Sequence, residues 1–169
     1  QGINSIEVDS NSGKGIKETL KFVQDIMQED LENKLAMESV IRDGLSKDRF
    51  YLAFQPQYDA KTKKLHGFEV LLRLTDENGK KISPAQIIPI AERSNLIFDI
   101  DNWVLSHAII EGSRLLEQCA DKDITISINI SARHILERNF VEKIKNCLAL
   151  TDFDPRHIEI EITESLYLG

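Results

Sequence analysis

The chain has 169 residues, 41% hydrophobic and 29% charged, with a formal net charge of −7, enough for one domain with a real core. That acidity, with no basic stripe, argues against polymeric nucleic acid as a partner, yet leaves room for a small phosphate ligand held by one or two arginines and a metal. No apolar run approaches the roughly 20 residues of a membrane helix and no signal-peptide pattern opens the chain, so no membrane contact is expected of this segment. The two cysteines, Cys119 and Cys147, stand in no metal-ligand spacing and are expected as reduced thiols of a cytoplasmic protein.

Residues 1–15 form a polar segment whose Ile3, Ile6 and Val8 alternate as a strand would, and they read as a remnant of an upstream domain. Gly13 and Gly15 mark a break. From Ile16, the residues Leu20, Val23, Met27, Leu31 and Leu35 recur at steps of three or four, which predicts an amphipathic helix or two across a linker spanning 16–49. Two uses are open for that face: packing against its own domain, or pairing as a signalling or dimerising helix.

From Phe50 the texture changes. Phe50 to Gln57 alternates as a strand, Asp59 to Lys64 reads as a hairpin turn, and His66 to Leu74 is a second strand, buried on both faces. Ser83 and Gln86 make a capping box around Pro84 and predict a helix start; Pro89 is expected to break or restart that helix. Ile100, Trp103, Val104, Ala108, Leu115 and Cys119 describe a long amphipathic helix, with Asp99 or Asp101 as its cap. Ile124 to Ile130 is a strand, Phe140, Val141, Ile144 and Leu148 mark a helix, and Ile158 to Thr163 is another strand. That order belongs to an α/β parallel sheet with crossover helices.

Glu69 carries the first functional signal, because an ionised carboxylate in a buried strand needs a cation, a base or a proton to move. Arg73 projects to the same face by the two-residue period of a strand, so a Glu69–Arg73 ion pair competes with a metal site as the explanation. Asn129 lies near the end of the Ile124 strand and Glu161 within the last strand. Each alone has a plainer reading, as a turn or capping residue for Asn129 and a solvated strand face for Glu159 and Glu161. Together at one strand-end rim, two carboxylates and an amide are hard donors suited to Mg²⁺ or Mn²⁺.

Six stretches in fixed order then become recognisable: Phe54-Gln55-Pro56, Gly67-Phe68-Glu69-Val70-Leu71-Leu72-Arg73, Ile87-Ile88-Pro89-Ile90-Ala91-Glu92, Asp101-Asn102-Trp103-Val104-Leu105, Ser127 to Arg133, and Glu159 to Ser165. Over residues 50–169 the chain resembles the N-terminal half of the EAL domain, the bacterial phosphodiesterases that hydrolyse cyclic di-GMP to linear pGpG. The resemblance implies a partial TIM-like barrel whose first strand runs antiparallel to the rest, preceded by the amphipathic helical segment. It implies Glu69, Asn129 and Glu161 as metal ligands, the two glutamates also as catalytic groups. Arg73 and Gln55 are implied as contacts to the dinucleotide, and Glu164 as the anchor of an active-site loop.

Three departures from the family pattern bear on function. Val70 replaces the signature alanine and is expected to face away from the ligand side, at the cost of slight crowding. Leu74 replaces an aromatic residue and touches nothing catalytic. The family's paired aspartates, lysine and later glutamate are not found in these residues, so the 169 residues alone are expected to be inactive and to self-associate through an open barrel edge. A degenerate EAL domain acting as a cyclic di-GMP receptor or docking module is the alternative function.

Overall fold

The computed structural model describes residues 14–119, 123–151 and 153–163; the expected Ile3–Val8 strand and Glu164 fall outside these described residues. In chain order the elements are α1 (Lys14–Ser46), β1 (Phe50–Tyr58), β2 (Leu65–Thr75), β3 (Lys81–Ile82), α2 (Pro84–Arg93) and α3 (Leu96–Gln118). There follow β4 (Thr125–Ser131), the short α4 (Ala132–Ile135), α5 (Phe140–Ala149), a 3-10 turn (Pro155–His157) and β5 (Ile158–Thr163). The sheet order is β1-β2-β4-β5, with β3 paired to β2. β1 runs antiparallel to β2, while β2, β4 and β5 run parallel. The antiparallel first strand expected from the sequence is therefore present.

Strand side chains alternate between faces, and neighbours in register share a face. Phe68, Val70, Leu72 and Leu74 of β2 lie on one face with Ile126, Ile128 and Ile130 of β4 and with Ile158 and Ile160 of β5. These residues join Ile97, Ile100, Val104, Leu105, Ala108 and Ile109 of α3 in the core. Val70, 2% exposed, lies on this apolar face as expected. The opposite face carries Gln55, Glu69, Arg73, Ser127, Asn129, Glu159 and Glu161. The β2 strand is thus apolar on one face and mixed on the other, which corrects the reading of it as buried on both.

β2 and β4 come close where they first pair. A Cβ on Gly67 would lie 2.6 Å from the Thr125 carbonyl oxygen and 2.7 Å from Thr125 Oγ1. Only glycine lets the two backbones approach at this level.

Three local expectations are corrected. The helix predicted at Pro84 has its capping box around Ser83, but it runs through Pro89 unbroken. Proline there forgoes a bond to the carbonyl of Ala85, an exposed residue whose oxygen water can satisfy. The long helix begins at Leu96, after Asn95 in a left-handed conformation, so neither Asp99 nor Asp101 is its cap. Asp99 lies in its first turn and Asp101 falls on its buried stripe.

The third correction concerns α1, which is one helix of 33 residues with Gly15 inside its first turn. Leu20, Val23, Met27, Leu31 and Leu35 are 57%, 45%, 66%, 55% and 55% exposed, so this stripe does not pack on the described domain. Only the last turns dock on the described core, through Met37, Val40, Ile41 and Leu45, with α2 and α3 as the helices they meet. Among the described residues no helix is long and apolar enough to cross a membrane.

Replacing Gly67 with alanine is expected to cost about 1–3 kcal/mol by forcing β2 and β4 apart. Urea unfolding of the variant should show a lower midpoint at unchanged m-value; an unshifted midpoint would mean the strands can separate there without penalty.

Candidate active site on the polar face of the sheet

The polar face is built by register. Gln55 pairs with Glu69 across the antiparallel β1–β2 ladder, Glu69 is level with Ser127 across the parallel β2–β4 ladder, and Asn129 is level with Glu161 across β4–β5. Asn129 Nδ2 donates to Glu69 Oε1 at 3.0 Å. That bond leaves the amide oxygen of Asn129 and the second carboxylate oxygen of Glu69 as further acceptors. Beside them Ser127 Oγ donates to Glu159 Oε2 at 3.4 Å. Glu69, Asn129 and Glu161 are half-buried, and Gln55 is exposed.

Arg73 is not ion-paired with Glu69; its Nη1 donates to the carbonyl of its neighbour Leu72 at 2.9 Å. The ion-pair explanation of Glu69 therefore fails among the described residues, and the guanidinium keeps most of its donors for another partner. Among the described residues no three His, Cys, Asp or Glu side chains converge as a metal-binding group. The polar cluster is instead two carboxylates and an amide on three adjacent strands.

Behind this rim lies a cavity of about 260 Å³, bordered by Arg73, Pro84, Ile88, Asp101, Asn129 and Ser131 among others. It opens where β2 and β4 part company: their pairing ends at Val70 with Ile128, while β4 continues against β5 to Ser131.

Asp101 is the residue sequence reasoning misplaced. It is 4% exposed, and its Oδ2 accepts from Ser131 N at 3.1 Å and from Ser131 Oγ at 2.7 Å. Ser131 Oγ in turn accepts from His134 N at 3.2 Å and so caps α4. The His134 ring, fully buried, has Nδ1 at 3.4 Å from Asp101 Oδ2 and Nε2 at 3.2 Å from Lys143 Nζ. Lys143 also donates to Glu137 Oε2 at 2.8 Å. Arg133 donates to the Glu92 carbonyl and, at 2.6 Å, to Asn95 Oδ1, tying α4 to the junction of α2 and α3. The signal in the sequence was an aspartate at the spacing of the apolar stripe, four residues after Ile97 and four before Leu105.

Burial pushes the Asp101 carboxyl up to about 6; the charge of Glu92 adds to this and the two bonds from Ser131 oppose it. Burial, and then the Lys143 charge, holds the His134 imidazole below its usual range against the pull of Glu137. Burial thus shifts both groups towards their neutral forms, although Asp101 is still ionised at neutral pH.

The EAL domain profile matches residues 38–168. Signaling protein YkoW of Bacillus subtilis is 36% identical over 135 residues, covering 79% of this chain and 16% of that protein. Cyclic di-GMP phosphodiesterase PA2567 of Pseudomonas aeruginosa is 31% identical over 125 residues, covering 73% of this chain and 21% of that protein. Among solved structures, the PaMucR phosphodiesterase in complex with c-di-GMP superposes with a TM-score of 0.71 at 30% identity, over 77% of this chain and 52% of that one. The chain therefore spans about a fifth or less of these curated relatives and about half of the solved chain.

The raised Asp101 pKa has a definite sign. Between the unfolded value of 3.8 and about 6 the folded state binds the extra proton, so stability falls as pH rises through that window. Asp101→Asn removes the titration and is expected to gain on the order of 2–3 kcal/mol relative to wild type between pH 4 and pH 7. Parallel thermal or urea unfolding of the two proteins across that range would show it; a constant difference would refute a buried, proton-hungry Asp101.

Proposed function

The chain belongs to the EAL domain family, and on that premise we propose that it supplies half of the catalytic face of a cyclic di-GMP phosphodiesterase. The substrate is the cyclic dinucleotide and the product linear pGpG. The observation that carries this reading is the 3.0 Å Asn129–Glu69 bond on a polar face that also presents Glu161 and Arg73.

The donor set fits a divalent ion of the Mg²⁺ or Mn²⁺ kind. Two carboxylates and an amide oxygen are hard ligands, and Mg²⁺ characteristically takes one or two protein carboxylates together with water and substrate phosphate. Glu69, Asn129 and Glu161 would hold it. When bound, such an ion supplies Lewis-acid polarisation of the phosphodiester and a more acidic water.

The chain's own residues do the rest. Glu69 and Glu161 set the negative charge of the site, and the Asn129 amide fixes the rotamer of Glu69 by donating to it. Arg73, with donors unspent on protein carboxylates, orients a phosphate of the dinucleotide. Gln55, at the exposed end of the same face, contacts the ligand from β1. Glu164 anchors a loop of the site. The remaining half of the face belongs to the parent protein, which we place in the cytoplasm.

Self-association is part of the same reading. The exposed apolar stripe on α1 and the sheet edges at β1 and β5 among the described residues support a homo-oligomer, with α1 as the helical linker ahead of the domain. Replacing Leu20, Met27 and Leu31 together by glutamate is expected to shift the full-length protein to smaller species in sedimentation velocity. If the distribution is unchanged, the helix is not the contact.

The function is tested by incubating the full-length protein with cyclic di-GMP and following pGpG by chromatography. Turnover is expected with Mg²⁺ or Mn²⁺ and should disappear with EDTA. Glu69→Gln and Glu161→Gln are each expected to lower kcat at least about 100-fold by removing a ligand. Tight dinucleotide binding with no turnover would favour the receptor alternative; neither binding nor turnover would sink the proposal.

A further inference from the structure

We propose that Asp101 is a positioning residue for the rim, fixing Asn129 through the end of β4. The inference rests on the reading of Glu69, Asn129 and Glu161 as the metal-holding set, and it concerns a residue one layer behind them.

The need arises from the cavity. Up to Val70 and Ile128 the strand β4 is laddered on both sides, to β2 and to β5; beyond that level only β5 remains. The backbone of Ser131 therefore has lost its partner on the β2 side, and an unpaired buried N–H costs about 1–3 kcal/mol. Asp101 reaches across from α3 and supplies the missing acceptor, taking the Ser131 N–H and hydroxyl on one oxygen at 3.1 and 2.7 Å. Ser131 is one pleat beyond Asn129 on the same face. Holding its backbone holds the phase of the strand, and with it the direction in which Asn129 meets Glu69 at 3.0 Å.

An aliphatic side chain at Asp101 would suit the surrounding α3 stripe better, since burying a carboxylate among Ile97, Ile100, Val104 and Leu105 is costly. It could not, however, satisfy the strand end. His134 completes the device. The Lys143 ammonium is a donor only, so Nε2 of His134 accepts from it and the neutral ring carries its proton on Nδ1, 3.4 Å from the Asp101 oxygen that holds Ser131. The ring is itself fully buried, and its Nδ1 makes no hydrogen bond among the described residues, so the Asp101 oxygen is its nearest acidic neighbour without being bonded to it.

The test uses the full-length protein and Mn²⁺ titration followed by the paramagnetic signal of the free ion, alongside urea unfolding. Asp101→Ala is expected to weaken Mn²⁺ binding about tenfold, the scale for removing a group that orients a ligand. Asp101→Asn, whose amide oxygen still accepts from Ser131, should recover binding to within about threefold of wild type on the same scale. Ile109→Ala, a core change on the same helix away from the rim, should lower stability and leave Mn²⁺ affinity unchanged. Wild-type affinity in Asp101→Ala, or a loss matched by Ile109→Ala, would overturn the proposal. Should Asp101→Ala not fold, Ser131→Ala takes its place: it drops one of the two bonds, and an unchanged affinity there would equally overturn it. A wild-type protein that binds no Mn²⁺ would remove the functional reading itself, and this proposal with it.

Discussion

Parallel pairing in register is the constraint from which the rest follows. Because in-register neighbours share a face, one alternation of residues runs coherently across β2, β4 and β5. The isoleucines at 126, 128, 130, 158 and 160 occupy one parity and the polar residues Ser127, Asn129, Glu159 and Glu161 the other. A slip of one residue in β4 would turn Asn129 into the core and Ile128 towards Glu69. The apolar packing under α3 and the polar rim are therefore a single specification, and neither can be altered without the other.

Opening a site in such a sheet has a structural consequence. The strands must stop pairing somewhere to leave space, and every residue past that point carries backbone groups that need partners. In this chain the gap lies between β2 and β4, and the partner is a carboxylate delivered by the helix that packs beneath. The high pKa of Asp101 expresses the strain of that arrangement: the group is ionised at neutral pH against the preference of its surroundings. Stability has been traded for definition at the end of β4.

Much of this was legible in the sequence. Glu69, Asn129 and Glu161 could be grouped at one strand-end rim, though their shared face needed the cross-strand register, and the Ser83 capping box placed a helix start at the residue where it occurs. Val70 faces the core as its parity requires. Asp101 was not legible in the same way, because an aspartate near the head of an amphipathic run looks like a cap until the true start at Leu96, five residues earlier, is known. The α1 stripe failed for a different reason. Periodicity reports that a helix has an apolar face, and carries no information on what covers it. Pro89 misled because the cost of a proline depends on whether the carbonyl it strands can reach water, a property of the fold.

One feature of α1 has a mechanical side. The helix runs without a break from Lys14 to Ser46, a rod of about 50 Å at 1.5 Å per residue, with its near end embedded in the core and its far turns standing clear. Its seat is tight: a methyl group on Gly44 would come within 2.7 Å of Leu74 and 2.9 Å of Phe50. Leu74 directly follows Arg73 on β2, and Phe50 pairs with Leu74 across the hairpin. The last turns of this rod thus bear directly on the residue next to Arg73 and on its partner across the hairpin, so the outer helix and the strand of Glu69 and Arg73 share one seat.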